Sequence, residues 1–181
     1  MQNPNDDLIC EKPSSDCDCN CNLASYYNDK IANLEAMVKK YKFDYLTGLM
    51  GKRDCFEKMD ILFEECINSD HSFYFGLIDL DNLHNINKKF GYYVGDESIK
   101  GVSDALRKRF LFHQIYRIGG DEFGVIIRAD RISKKTIEDS LNTIAGITYY
   151  ISDASGFVTA KQMFKCIDKQ LIAKKKTEKR L

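Results

Sequence analysis

Apolar positions from Ser25 onward recur at helical steps. Tyr27, Ile31, Leu34, Val38 and Tyr41 are spaced by fours and threes, while Asp29, Lys30, Glu35, Lys39 and Lys40 occupy the other faces. That pattern predicts an amphipathic helix over residues 23–42 with a heptad-like seam. The seam spans only two heptads, short for a coiled coil. Two uses therefore stand side by side: a helix packed on its own domain, or a helix that pairs with a second copy. Residues 1–22, rich in Asn, Asp, Ser, Pro and Cys, predict a disordered tail.

Beyond a loop, Phe43 to Leu49, that closes on Gly48, a second helix carries Phe56, Met59, Leu62, Phe63, Cys66 and Ile67 on one face. Ser72 to Ile78 is an almost continuous apolar run, the mark of a strand covered on both sides, and it ends in Asp79-Leu80-Asp81. Asn85 to Gly95 reads as loop or short turns punctuated by Gly91 and Gly95. Asp96 then opens a helix bearing Ile99, Val102, Ala105, Leu106 and Phe110. A hairpin follows around Gly119-Gly120, then a helix near residues 134–145 and a β-branched, aromatic strand at Ile147 to Ile151. A last helix from about Thr159 carries Met163, Phe164, Ile167 and Leu171 into Lys174-Lys175-Lys176. Strand, helix, hairpin, helix, strand predicts an α+β fold, with a ferredoxin-like or palm-type antiparallel central sheet and flanking helices on one face. The N-terminal amphipathic helix precedes it, and residues 43–181 form the main domain.

Composition changes little in this picture. Of the 181 residues, 44% are apolar and 30% charged, and 27 basic residues balance 27 acidic ones. Bulk charge thus gives no argument for nucleic acid or an anionic membrane. No apolar run approaches the roughly 20 residues of a membrane span, and the start of the chain lacks a secretion signal, so the cytoplasm is the expected location. Seven cysteines are many for such a domain. Cys55, Cys66 and Cys166 fall on apolar helix faces and read as small buried hydrophobes. Cys10, Cys17, Cys19 and Cys21 have gaps of six, one and one with no histidine nearby, unlike the paired spacing of zinc sites.

The chemistry concentrates at the hairpin. Apolar runs Gln114 to Ile118 and Gly124 to Ile127 flank Gly119-Gly120-Asp121-Glu122-Phe123, so a tight turn carries two acids. Glycine tolerates positive φ there and lets a ligand approach the backbone. In a ferredoxin-like sheet the Asp79 strand and the hairpin are neighbours, which sets Asp79 beside Asp121. Carboxylates so placed repel unless a cation lies between them, and magnesium bound to phosphates is the usual solution, because it takes few protein carboxylates.

Three ordered motifs extend the argument: Asp44-Tyr45-Leu46-Thr47-Gly48-Leu49, then Asp79-Leu80-Asp81 continuing through Asn87 and Gly91 to Gly95-Asp96, then Arg117 to Phe123. Together they resemble the GGDEF family, the diguanylate cyclases, over roughly residues 40–180. The resemblance implies that Asp79 and Asp121 ligate Mg2+ (or Mn2+) through carboxylates and Leu80 through its carbonyl. Glu122 would join that cluster, in metal binding or in activating the attacking hydroxyl. Asn87 and Asp96 would read guanine, with Leu83, His84, Gly119, Gly120, Lys175 and Lys179 contributing to substrate binding. The implied reaction condenses two GTP into cyclic di-GMP with release of pyrophosphate, in a homodimer that brings two sites face to face.

The chain also departs from the family pattern. His84 stands for a lysine, Tyr92 for a histidine, Gly51-Lys52 for Asn-Arg and Lys179 for an arginine, and the C-terminal motif is reduced to Ile167 to Lys175. The inhibitory product site needs an R-x-x-D where Phe110 and His113 stand, so that feedback is expected to be missing. Besides an active cyclase, two readings follow: a weak or inactive module that binds GTP or cyclic dinucleotide and regulates by dimerisation, and a palm-like cyclase with another product.

Overall fold

The computed structural model describes residues 19–67, 69, 71–110 and 114–178. Two compact units emerge, Met1–Tyr41 and Lys42–Leu181. The first is represented by α1 (Cys19–Lys42), on which Tyr27, Ile31, Leu34 and Val38 are exposed. The helix begins four residues earlier than its apolar spacing predicts, so Cys19 and Cys21 lie on helical backbone. Cys10 and Cys17 fall outside the described residues.

The second unit runs β1 (Met50–Gly51), α2 (Lys52–Ile67), β2 (Phe73–Leu80), α3 (Leu83–Phe90), α4 (Tyr92–Arg109), β3 (Gln114–Arg117), β4 (Glu122–Arg128), α5 (Lys134–Asn142), β5 (Ile147–Asp153) and α6 (Ala160–Glu178). The strands form one sheet in the order β1-β3-β4-β2-β5. All pairs are antiparallel except β1 with β3. The expected strand–helix–hairpin–helix–strand core is present as β2-α4-β3-β4-α5-β5. The two-residue β1, which hydrophobic pattern cannot detect, adds a parallel edge.

Alternation along β2 divides the core in two. Ile78 and Leu80, with Phe123, Val125 and Ile127 of β4, face α4 and α5. Phe73, Phe75 and Leu77 face α2 and α6, where Met59, Met163, Ile167 and Leu171 are buried. Helices therefore cover both faces of the sheet and not one, which is why the β2 run is continuously apolar. Cys55 is fully buried, and burial pushes its thiol far up. Cys66 and Cys166 are half-buried free thiols.

The stretch expected to be loop between Asn85 and Gly95 is instead α3 and the start of α4, separated by a single residue. Gly91, at φ 86°, ends one helix by donating to the Asn87 carbonyl and starts the next. Gly95 fits inside α4 because the Asn87 carboxamide occupies the space a Cβ would need. Asp96 consequently lies in the second turn of α4 and does not cap it. Among the described residues no helix is long and apolar enough to cross a membrane.

Leu77, fully buried between β2 and the α2/α6 layer, provides a direct check on this packing. Leu77→Ala is expected to cost about 2–5 kcal/mol in urea denaturation, whereas Ile61→Ala, on the exposed face of α2, changes stability by no more than about 0.5 kcal/mol.

Candidate functional site

Strand register assembles the acids. Antiparallel pairing of β2 with β4 sets Asp79 opposite Glu122, and the Leu80 amide donates to the Asp121 carbonyl at 2.8 Å. Asp79 is only 7% exposed. Like charges directly across a strand pair disfavour the pairing, and both carboxyls respond. Burial pushes the Asp79 carboxyl up, Lys175 opposes that, and the charges of Asp121 and Asp81 add to the rise. Burial likewise raises Glu122, reinforced by Asp121, Asp79 and Asp168 and partly offset by Lys52.

The cation that meets Asp79 is the ammonium of Lys175, from the last turn of α6, in an ion pair with Oδ1. Apart from that ion pair, Oδ1 is buried without a hydrogen bond. Lys179 lies outside the described residues. Asp79, Asp121, Glu122 and the Leu80 carbonyl are hard oxygen donors, the kind Mg2+ or Mn2+ prefers. Among the described residues no three acid, His or Cys side chains form a closed metal cage. An ion that takes one or two carboxylates and completes its shell with phosphate oxygens and water fits such a donor set.

The turn of the hairpin is braced from beneath, by residues the motif reading assigned no role. Arg117 donates through Nε to the Gly119 carbonyl at 3.1 Å and through Nη2 to the Gly120 carbonyl at 2.8 Å. Its Nη1 donates to Asp44 Oδ1 at 2.8 Å, and that oxygen also accepts from the Thr47 amide and hydroxyl. The pair is largely enclosed, at 12% and 20% side-chain exposure. Asp44 and Thr47 belong to the first sequence motif and Arg117 to the third, so the clamp is the physical link between them. The available signal was a charge, Arg117, closing a strand directly after Ile115 and Tyr116. Neither Gly119 nor Gly120 takes positive φ, contrary to expectation. At Gly119 the Glu122 carboxylate lies over the backbone, with Oε2 2.9 Å from where a Cβ would sit; around Gly120 the space is open.

A second group of predicted residues gathers where the chain leaves β2. Asn82, in the left-handed region at φ 60°, turns it into α3. Asn87 and Leu83 of α3 both pack at Gly95 of α4, bringing the Asn87 carboxamide next to the residue that precedes Asp96. Asn87 Oδ1 is buried with no hydrogen-bond partner, a costly arrangement that a ligand donor would relieve. Asp96 and Leu83 are half-buried, and His84 is exposed.

The clamp gives a pH-dependent test. Burial alone would raise the Asp44 carboxyl, but the bonds from Arg117 and Thr47 and the guanidinium charge outweigh it and hold it below 3.8. A carboxyl lowered on folding contributes stability above its unfolded value and loses it as pH falls through the folded one. Asp44→Asn is expected to cost about 1.5–3 kcal/mol at neutral pH. In denaturation at a series of pH values, that difference shrinks below pH 3.8; a gap independent of pH contradicts the clamp's ionic character.

Comparison with known proteins agrees with this construction. The family model described as "Diguanylate cyclase, GGDEF domain" matches residues 41–160, about two thirds of the chain. The chain is 31% identical over 134 residues to the uncharacterized protein YhcK of Bacillus subtilis, covering 65% of this chain and 37% of that protein. It is 35% identical over 96 residues to the diguanylate cyclase DgcP of Escherichia coli, covering 52% of this chain and 28% of DgcP. It thus spans well under half the length of both relatives. The coiled coil and GGDEF domain of DgcB from Caulobacter crescentus, solved in complex with c-di-GMP, superimposes at a TM-score of 0.79 with 15% identity, over 87% of this chain and 93% of that one. The last likeness concerns fold alone. A match of this extent, carrying the hairpin that strand register sets against Asp79, makes this protein a member of the GGDEF-domain family.

Proposed function

We propose that the chain is a diguanylate cyclase, condensing two GTP into cyclic di-GMP with release of two pyrophosphates. The observation that carries the reading is that strand register sets Asp79 opposite Glu122, with Asp121 in the adjoining turn, beside Asn87, whose side-chain Oδ1 is buried without a hydrogen-bond partner. The Asp96 carboxylate accepts from N1–H and the exocyclic amine of guanine, donors that adenine does not offer in that pattern. Asn87 Oδ1 supplies a further acceptor for the same base. The bare backbone at Gly120 leaves room for phosphates above the hairpin, and Lys175 supplies a mobile positive charge for them.

Asp79, Asp121 and the Leu80 carbonyl would hold a divalent cation, which when bound polarises the α-phosphate and neutralises charge that develops in transfer. Glu122, whose carboxyl burial and neighbouring acids raise, is suited to accept the proton of an attacking 3′-hydroxyl. The new ester bond forms at the α-phosphorus as the bond to pyrophosphate breaks. Each chain offers one such site, and joining two nucleotides both ways requires two sites. The exposed seam Tyr27, Ile31, Leu34 and Val38 on α1 supports a second copy of the chain as partner, in keeping with the coiled coil named for DgcB. Phe110, where product feedback would need an arginine, is buried in the core and offers no charge to a phosphodiester.

A specific contact favours a second reading, a weak or inactive module that binds nucleotide: Lys175 is engaged by Asp79. One assay separates the two. Full-length protein incubated with GTP and Mg2+, at concentrations that populate a dimer, is expected to yield cyclic di-GMP by mass. Asp121→Ala, which stays folded because its side chain lies in the turn, should lose at least about 100-fold in rate. GTP binding without any cyclic dinucleotide identifies the inactive module, and product surviving Asp121→Ala removes the metal assignment.

A further inference from the structure

We propose that Lys175 acts as an internal cation that occupies the metal end of the site, so that divalent metal and nucleoside triphosphate bind as a linked pair. The proposal rests on reading this site as a nucleotide–metal site. Its basis is the periodicity of α6. Met163, Ile167 and Leu171 form the buried stripe of that helix at steps of four, and the next position on the stripe is Lys175. The face that packs against β2 therefore delivers an ammonium, not a methyl group, to the end of the strand where Asp79 sits. The neighbouring Lys174 fastens the same turn by donating to the Tyr149 carbonyl at 3.2 Å.

Lys175 meets Asp79 through Oδ1, a buried oxygen with no other partner among the described residues. Mg2+ binds carboxylate oxygen at about 2.0–2.1 Å, a position that cannot be taken while an ammonium rests on that oxygen. Two cations crowded there would also repel. Yet the lysine is not locked in place. Its side chain retains 26% exposure, its stem is flexible, and its three donors suit phosphate oxygens well. A triphosphate at the hairpin draws the ammonium away, Asp79 is uncovered, and the metal enters. Reciprocity then requires that metal tighten nucleotide by the same factor that nucleotide tightens metal. Lys175 is on this account a coupling residue for binding, apart from any contact it makes during transfer.

The test is Mn2+ binding, read from the electron paramagnetic resonance of free Mn2+ in titrations of the nucleotide-free, full-length protein. Lys175→Met is expected to bind Mn2+ at least about tenfold more tightly than the parent chain, with Lys175→Gln as a second variant and circular dichroism confirming the fold of each. The non-reacting analogue α,β-methylene-GTP lends phosphate oxygens to the ion in either chain, so it should tighten Mn2+ on both, by at least about tenfold more on the parent chain than on Lys175→Met. Asp79→Asn in the Lys175→Met background should erase the gain. Equal Mn2+ affinity in the parent and both lysine variants overturns the proposal, as does a gain that survives Asp79→Asn. The outcome is separable from the cyclase reading. Tightened Mn2+ binding in a protein that makes no product supports the coupling and removes the enzyme, whereas product formation with unaltered Mn2+ affinity in Lys175→Met does the reverse.

Discussion

The pairing of β2 with β4 is the constraint on which the rest of the molecule depends. Its register runs without a break from Phe73 opposite Arg128 to Asp79 opposite Glu122. A slip of one residue would turn Phe75 and Leu77 away from the α2/α6 layer and Ile78 and Leu80 away from the α4/α5 layer. Two apolar cores therefore enforce one alignment, and that alignment places carboxylates face to face at the strand ends. The electrostatic cost is imposed by packing, and it is met by cations: Lys175 on Asp79 and the field of Lys52 at Glu122. An acid cluster held in place by such a core is a standing demand for positive charge.

Around that fixed pair the flanking elements divide the remaining work. The Asp44–Arg117 clamp binds the carbonyls of both hairpin glycines, so the acids at the turn are positioned from below by an ion pair with no net charge. The α3/α4 joint, folded tightly around Asn87 and Gly95, sets Asn87 and Asp96, the residues we propose to read nucleotide, beyond the end of β2. The proposed metal ligands and the proposed base-reading residues are thus both placed by one strand.

Much of this was legible in the sequence, for identifiable reasons. The continuous run Phe73 to Ile78 marks a doubly covered strand, and the ferredoxin-like order brings Asp79 to the hairpin, although the residue opposite it is Glu122 and Asp121 lies in the adjoining turn. What escaped was set by contacts between distant residues. The α3/α4 joint looked like a loop because glycines at 91 and 95 read as breakers, while Asn87 fills the very space that Gly95 leaves. Gly119 does not take the positive φ that its place in a turn suggested; the Glu122 carboxylate lies over its backbone instead. The Arg117 clamp and the seat of Lys175 on Asp79 join residues 73 and 96 positions apart, beyond the reach of any local pattern.

The central claim is that one strand end gathers metal and guanine into a single site. Crystals of the full chain grown with Mn2+ and α,β-methylene-GTP test it most directly through anomalous scattering. The account predicts a manganese peak in contact with Asp79 and Asp121, and a guanine base hydrogen-bonded to Asn87 and Asp96. A manganese peak remote from both acids, or a base bound without contact to Asn87 and Asp96, would contradict it.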